Sequence, residues 1–253
     1  MRNVLKTLVW NMVSLVRFVL NPLFNFQETA ILCYHSISAV PFDTNILPAD
    51  FELHLEMLKR RGYVFVSLAD IVAWTKGERA LPRKAVAFTF DDGYADFESV
   101  VLPLAHKYHA PVAVFAVGDA GLSRTSLGQK NTFLSPEALD ELAKNPQVEI
   151  GYHSMTHPNL AQVAPADLQR EIRASFPARY YAYPGGNHTP EAAQALKEAG
   201  YEAAFTIRPV LVQKGMDRYL LPRIVVLKDM SPRDVSMRAS IASQWYQALK
   251  DIL

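Results

Sequence analysis

Beyond Pro22 the chain alternates two kinds of hydrophobic pattern. Short, nearly continuous apolar runs at 30–34, 64–67, 85–90, 112–117, 148–152, 180–183, 203–207 and 223–227 read as strands, because a parallel strand covered on both faces need not alternate apolar with polar residues. Between them, segments at 49–61, 68–76, 96–108, 136–144, 165–175, 190–199 and 232–249 read as helices. Several helices open with a hydroxyl residue followed by proline, as in Ser135-Pro136, Thr189-Pro190 and Ser231-Pro232, where the side chain can cap free amides and the proline ring suits the first turn. Strands and helices in regular succession predict βα units around a parallel sheet, an α/β fold. The segment 118–132, rich in Gly, Ser, Thr and Asn, is long for a connector and is a candidate substrate-facing loop.

The first 25 residues follow another rule. Drawn as a helix, 3–20 places Leu5, Leu8, Met12, Val16 and Val19 within one broad apolar arc and Lys6, Thr7, Ser14 and Arg17 on the other side. With Trp10 on the polar side, this pattern suits an amphipathic helix lying in a membrane interface. Lys6 and Arg17 argue against a spanning helix, since each costs roughly 2.5–3.5 kcal/mol near a bilayer centre. No small-residue cleavage site follows, which argues against a removed signal peptide. The same helix could instead cover the open end of the chain's own barrel, or serve as a signal anchor. The expected organisation is therefore residues 1–25 as an amphipathic helix and 26–253 as one catalytic domain, with the protein membrane-associated on a side the sequence does not name.

Composition then narrows the classes. With 253 residues, half of them apolar, the chain can bury one barrel-sized core. Lys plus Arg number 26 against 25 Asp plus Glu, so no strong field exists to gather nucleic acid. The single cysteine, Cys33, excludes an intramolecular disulfide and is expected to be a buried, inert thiol. No obligate protein partner is evident.

Candidate chemistry collects where strands end. In parallel barrels the catalytic groups come from the carboxyl ends of several strands. Here the run at 87–90 ends in Asp91-Asp92-Gly93, the run at 148–152 in His153, the run at 31–34 in His35, and the run at 180–183 in Pro184-Gly185-Gly186. Asp-Asp-Gly alone could be an ordinary turn. Two adjacent carboxylates at a buried strand end are, however, costly unless paired, and a divalent cation is a common solution. His153 and His157 stand four apart, as on one side of a helical turn, and two imidazoles with one carboxylate form a recognised zinc set that leaves a position open for water. His54, His106, His109 and His188 are expected to be structural.

The strings Thr89-Phe90-Asp91-Asp92-Gly93 and His153-Ser154-Met155-Thr156-His157 resemble the first two motifs of the polysaccharide deacetylase family, the carbohydrate esterase 4 group with the NodB homology domain. The resemblance runs from Ala30 to about Leu227. It implies a distorted (β/α) barrel, one divalent metal ion, with zinc the expected one, and an N-acetylated glycan as substrate. It further implies that Asp91 is the general base and that Asp92, His153 and His157 bind the metal. Most members carry a late histidine as proton donor, yet none occurs here after His188. The segment Leu32-Cys33-Tyr34-His35-Ser36-Ile37 resembles the early Tyr-His motif of the subgroup that deacetylates poly-N-acetylglucosamine, which makes His35 the general acid. Tyr183-Pro184-Gly185-Gly186 matches the third motif, with the Gly185 amide as oxyanion donor, and Leu221-Pro222-Arg223-Ile224 makes Arg223, rather than Arg179, the group that orients the base. Tyr94, Tyr152 and Tyr183 are candidate sugar-stacking residues. The implied activity is a metal-dependent N-deacetylase of a cell-envelope polysaccharide or lipid-linked glycan. The alternatives are a catalytically inactive glycan-binding module on the same fold and a metal hydrolase of a non-sugar amide.

Overall fold

A computed structural model describes residues 27–121 and 132–241. The proposed N-terminal helix, most of the 118–132 loop and the end of the 232–249 helix lie outside those residues.

The strands are β1 (Glu28–Tyr34), β2 (Val64–Phe65), β3 (Lys84–Asp92), β4 (Val112–Ala116), β5 (Val148–Tyr152), β6 (Tyr180–Ala182), β7 (Ala203–Phe205) and β8 (Ile224–Val225). All pair in parallel, in the order β7-β6-β5-β4-β3-β1-β8, with β2 on β3. The free edges approach each other through the segment leading into β8. Leu221 exchanges main-chain hydrogen bonds with Ala204 and Thr206 beside β7, while Ile224 and Val225 pair with β1. The sheet thereby curls into a distorted (β/α) barrel.

The helices are α1 (Pro48–Arg60), α2 (Leu68–Thr75), α3 (Leu102–Tyr108), α4 (Pro136–Leu142), α5 (Pro165–Ile172), α6 (Pro190–Glu198) and α7 (Pro232–Arg238). Ser135, Thr189 and Ser231 accept hydrogen bonds from the amides three residues ahead, caps that each contribute about 1 kcal/mol. The single helix expected at 96–108 is divided, with a π turn over Phe97–Val101 and α3 beyond it. Pro103 has no N–H to give to the carbonyl of Ser99, so regular pairing cannot pass through this point. Strand edges are shorter than expected at 64–67, 203–207 and 223–227, where the chain turns out of the sheet.

Strand parity sorts the core into two layers. Val86, Phe88 and Phe90 face outward and pack against Phe51, Leu55 and Leu58 of α1. Ile31, Ala85, Ala87, Ala113, Phe115, Ala182 and Phe205 face inward, and Leu68, Ile71, Val72 and Trp74 of α2 join the same inner cluster. Glu149 fixes α2 there by accepting the amides of Leu68 and Ala69 at 2.7 and 2.9 Å. Gly151 is required by this packing, because a Cβ at that position would stand 2.3 Å from the Phe115 ring. The opposite end, formed by the carboxyl ends of the strands, is left for chemistry.

Candidate active site

Asp91 and Asp92 end β3, and an unbroken pleat would point them to opposite faces. Asp91 follows Ala85, Ala87 and Thr89 inward. Asp92 would follow Phe88 and Phe90 into the outer core, but its backbone takes the left-handed conformation (φ 73°). The strand breaks there and both carboxylates reach one pocket. That pocket, of about 290 Å³, is lined by His35, Phe42, Thr44, Asp91, Asp92, His153, His157, Gly185, Ile207 and Val225. A larger cavity of about 520 Å³ between α6 and 217–220 gathers no comparable set of ligating groups.

His153 continues the inward parity of Glu149 and Gly151. Its Nδ1 donates to the Ala182 carbonyl at 2.8 Å, which places the ring proton on that nitrogen and leaves the Nε2 lone pair toward Asp92 Oδ1, 3.5 Å away. His157 Nε2 lies 3.6 Å from the same oxygen. The two histidines do not share a helical turn, as their spacing suggests. They belong to a loop in which Ser154 (φ 66°) and His157 (φ 58°) both have positive φ, and the Ser154 hydroxyl accepts the His157 amide at 2.9 Å. Buried Glu171 ties the loop down, its carboxylate accepting from the Thr156 amide and hydroxyl at 3.0 and 3.1 Å.

Ligand atoms of Asp92, His153 and His157 all lie within 4.8 Å of one another. Asp92 is 1% exposed, and its oxygens make no hydrogen bond of regular geometry, although the Tyr94 hydroxyl stands beside them as a donor. Burial, reinforced by the charge on Asp91, pushes its pKa up to about 8. An enclosed carboxylate facing two imidazole nitrogens is a donor set that fits a divalent ion with a position to spare.

The second carboxylate is in a different state. Arg223, fully buried, gives Asp91 two parallel hydrogen bonds of 2.6 and 2.7 Å, and its guanidinium stacks 5.1 Å from the Phe115 ring centre. Burial alone would raise the Asp91 pKa; the guanidinium overrides it and holds the carboxyl well below the usual range. Cys33 donates a third, weaker bond to Asp91 Oδ2 at 3.4 Å, its thiol kept protonated chiefly by burial. His35 lies two residues further along the same inward face. Burial draws its pKa down to about 4, against the opposing pull of Asp91. The ring is therefore neutral at pH 7, and its Nδ1 has no hydrogen-bond partner.

Several expected roles are corrected by parity. Ala182 points inward, so Tyr183 points outward: its ring is fully enclosed and its hydroxyl donates to the Tyr219 carbonyl at 3.0 Å. Tyr183 does not meet the pocket with its side chain, and neither does buried Pro184, whereas Gly185 lines it with φ 59°, a conformation that favours glycine. Tyr152 is enclosed against Phe176 and Tyr181, and Tyr94 is 1% exposed beneath Phe133. None of the three presents an open ring to a sugar. Arg179 pairs with Glu202 on the surface, remote from Asp91. His54 is structural, lying between the Tyr34 hydroxyl and the Met230 carbonyl, each 3.3 Å away.

Sequence reasoning missed three contributors. Cys33 forms part of the floor under the base, and the signal was its position two residues before His35. Asp96 accepts from the Ser36 hydroxyl at 2.6 Å and the Ile37 amide at 3.0 Å, holding the turn that carries His35. Glu171 carries no local signature, because only the packed helix brings it to the histidine loop.

A curled parallel sheet with paired carboxylates and imidazoles at its carboxyl ends defines a hydrolase of the (β/α)-barrel class. The family profile "Polysaccharide deacetylase" matches residues 78–204, and the chain belongs to that family, whose members hydrolyse carbon–nitrogen bonds of glycans. It is 28% identical over 210 residues to the putative polysaccharide deacetylase YxkH of Bacillus subtilis, covering 79% of this chain and 72% of the relative. It is 24% identical over 202 residues to the poly-β-1,6-N-acetyl-D-glucosamine N-deacetylase of Staphylococcus epidermidis, covering 73% and 69%. The fold resembles that of the Streptococcus pyogenes deacetylase PplD, solved in complex with acetate, with a TM-score of 0.71 at 22% identity over 84% of this chain and 98% of the other.

Proposed function

We propose that this chain is a metal-dependent N-deacetylase that hydrolyses the acetamide of an N-acetylated glucosamine glycan of the cell envelope, releasing acetate. The observation that carries this reading is the division of labour between adjacent carboxylates. Asp91 is clamped and ionised by Arg223, while Asp92 has no arginine or lysine partner and faces two imidazoles in the same open pocket.

A divalent ion held by Asp92, His153 and His157 would polarise the acetamide carbonyl and make a nearby water more acidic. Asp91 takes the proton from the attacking water, with Arg223 fixing the direction of its carboxylate. The Gly185 amide stabilises the oxyanion, a contribution of typically 2.7–4 kcal/mol per donor. His35, whose ring nitrogen lies within 4.8 Å of an Asp91 oxygen, takes up the proton removed from the water and passes it to the leaving amine as the C–N bond breaks. The enclosed floor of Cys33, Thr89 and Phe115 keeps bulk water from behind the base.

The name of the Staphylococcus epidermidis relative supports a glucosamine polymer as substrate, and the amphipathic pattern of residues 1–25 supports attachment to a membrane surface. Among the described residues no helix is long and apolar enough to cross a membrane. The test is acetate release from N-acetylglucosamine oligomers by the metal-loaded chain. Oligomer binding without acetate release would favour a glycan-binding module, and release only from non-sugar acetamides would favour the third reading.

A further inference from the structure

The rim of the pocket has a structure that the hydrolytic residues leave without a role. At about 290 Å³ the pocket is at the lower end of ligand sites, which run from about 300 to 1,000 Å³. It can enclose one acetamido sugar, and further sugars of a chain must lie across its edge. The aromatic at that edge is Phe42, which lines the pocket yet is 40% exposed. Beside it, Thr44 also lines the pocket, and its buried hydroxyl has no hydrogen-bond partner, an arrangement native proteins seldom leave unfilled.

These two side chains are held on a fixed turn. The Phe42 carbonyl accepts the Asn45 amide at 3.2 Å, and the Ile46 amide donates to Ser36 at 3.1 Å. Between them, Asp43 is bound to Lys228 through both main chain and side chain. The turn is thus tied on one side to the His35 segment and on the other to the chain leaving β8. A water-facing phenyl ring on a tied turn, next to an unpaired hydroxyl, matches a pyranose, which offers an apolar face of C–H groups and a hydroxyl edge.

We propose that Phe42 and Thr44 form a glycan subsite at the pocket rim, Phe42 as the stacking platform for a neighbouring sugar ring and Thr44 as a hydrogen-bond partner of a sugar hydroxyl. This deepens the deacetylase reading and rests on it for the ligand class. The subsite explains why the buried tyrosines are not needed for stacking.

The test uses the full chain and two ligands, N-acetylglucosamine and its β-linked pentamer. With metal chelated to stop turnover, Phe42→Ala weakens pentamer binding roughly tenfold and monosaccharide binding less than about twofold, while Phe42→Trp keeps pentamer affinity. Thr44→Val weakens the pentamer by about two- to tenfold. With metal, Phe42→Ala raises KM for pentamer deacetylation and leaves kcat near wild type. Equal effects on both ligands, or none on either, overturn the subsite. Acetate release with unchanged pentamer KM in Phe42→Ala would sink the subsite and leave the deacetylase standing. Phe42-dependent pentamer binding without any acetate release would do the reverse.

Discussion

Asp91 and Arg223 stand 132 positions apart in sequence and meet as a bidentate pair, with bonds of 2.6 and 2.7 Å and both side chains enclosed. The pair spans from the end of β3 to the seam where the barrel closes, so the geometry of the base and the closure of the fold are one structural fact. Neighbouring Asp92, without such a partner, is left in the opposite electrostatic state.

Asp91→Asn is expected to lower acetate release by about 10²–10⁴-fold, the usual scale for a positioned base. It also strands the Arg223 charge in the interior, at a cost of about 3–5 kcal/mol. Arg223→Met strands Asp91 in the same way. In chemical denaturation the Asp91→Asn/Arg223→Met chain should lose much less stability than the sum of the single losses. Additive losses would show that the two side chains do not act as a pair.

Metal addition should stabilise the folded chain, because Asp92, His153 and His157 converge only in the native state. At a free ion concentration 100 times Kd the gain is about 2.7 kcal/mol, read as a rise in Tm. Asp92→Asn and His153→Ala should erase the rise, and a chelator should abolish acetate release in the parent. A full rise retained in Asp92→Asn would place the ion elsewhere.

Glu171 touches no substrate or proposed ligand atom, yet it fastens the loop carrying His157. Glu171→Gln keeps one acceptor oxygen where two are used, and should weaken metal binding by about 10–100-fold, the effect typical of groups that orient ligands. Excess metal should restore acetate release, which a general loss of folding would not permit. Isothermal titration with Zn2+ gives the affinity directly.

His54 provides a pH signature outside the site. Burial lowers its pKa below the ordinary histidine value of 6.5, so the unfolded chain binds its proton at higher pH than the folded chain. Its contribution to stability is present above the unfolded pKa and is lost as pH falls through the folded one. Unfolding free energy measured from pH 7.5 to 5 should decline, and the decline should be shallower in His54→Gln. An unchanged slope would show that His54 titrates alike in both states.

Much of the site was legible from local pattern because strand ends are readable. Apolar runs ending in Asp91-Asp92, His153, His35 and Pro184-Gly185 named the groups that the fold gathers at one face. The misreadings have a common origin in backbone detail. Parity from Ala182 turns Tyr183 outward and parity from Gly151 turns Tyr152 outward, while the positive φ of Asp92 reverses what parity alone would give. Histidines four apart suggested a helical turn, but Ser154 and His157 adopt left-handed conformations instead, which a spacing rule does not contain.

By itself the sequence determined the parallel α/β architecture and the chemical inventory of the site, since both follow from the order of apolar runs and the residues that end them. Tertiary structure alone decided which groups pair: that Arg223 crosses the barrel seam to Asp91, that Cys33 and Glu171 support the base and the histidine loop, and that Phe42, not a tyrosine, faces water at the rim. These choices depend on the closure and twist of the sheet, which bring distant segments within hydrogen-bond range, and no periodicity along the chain encodes such distances.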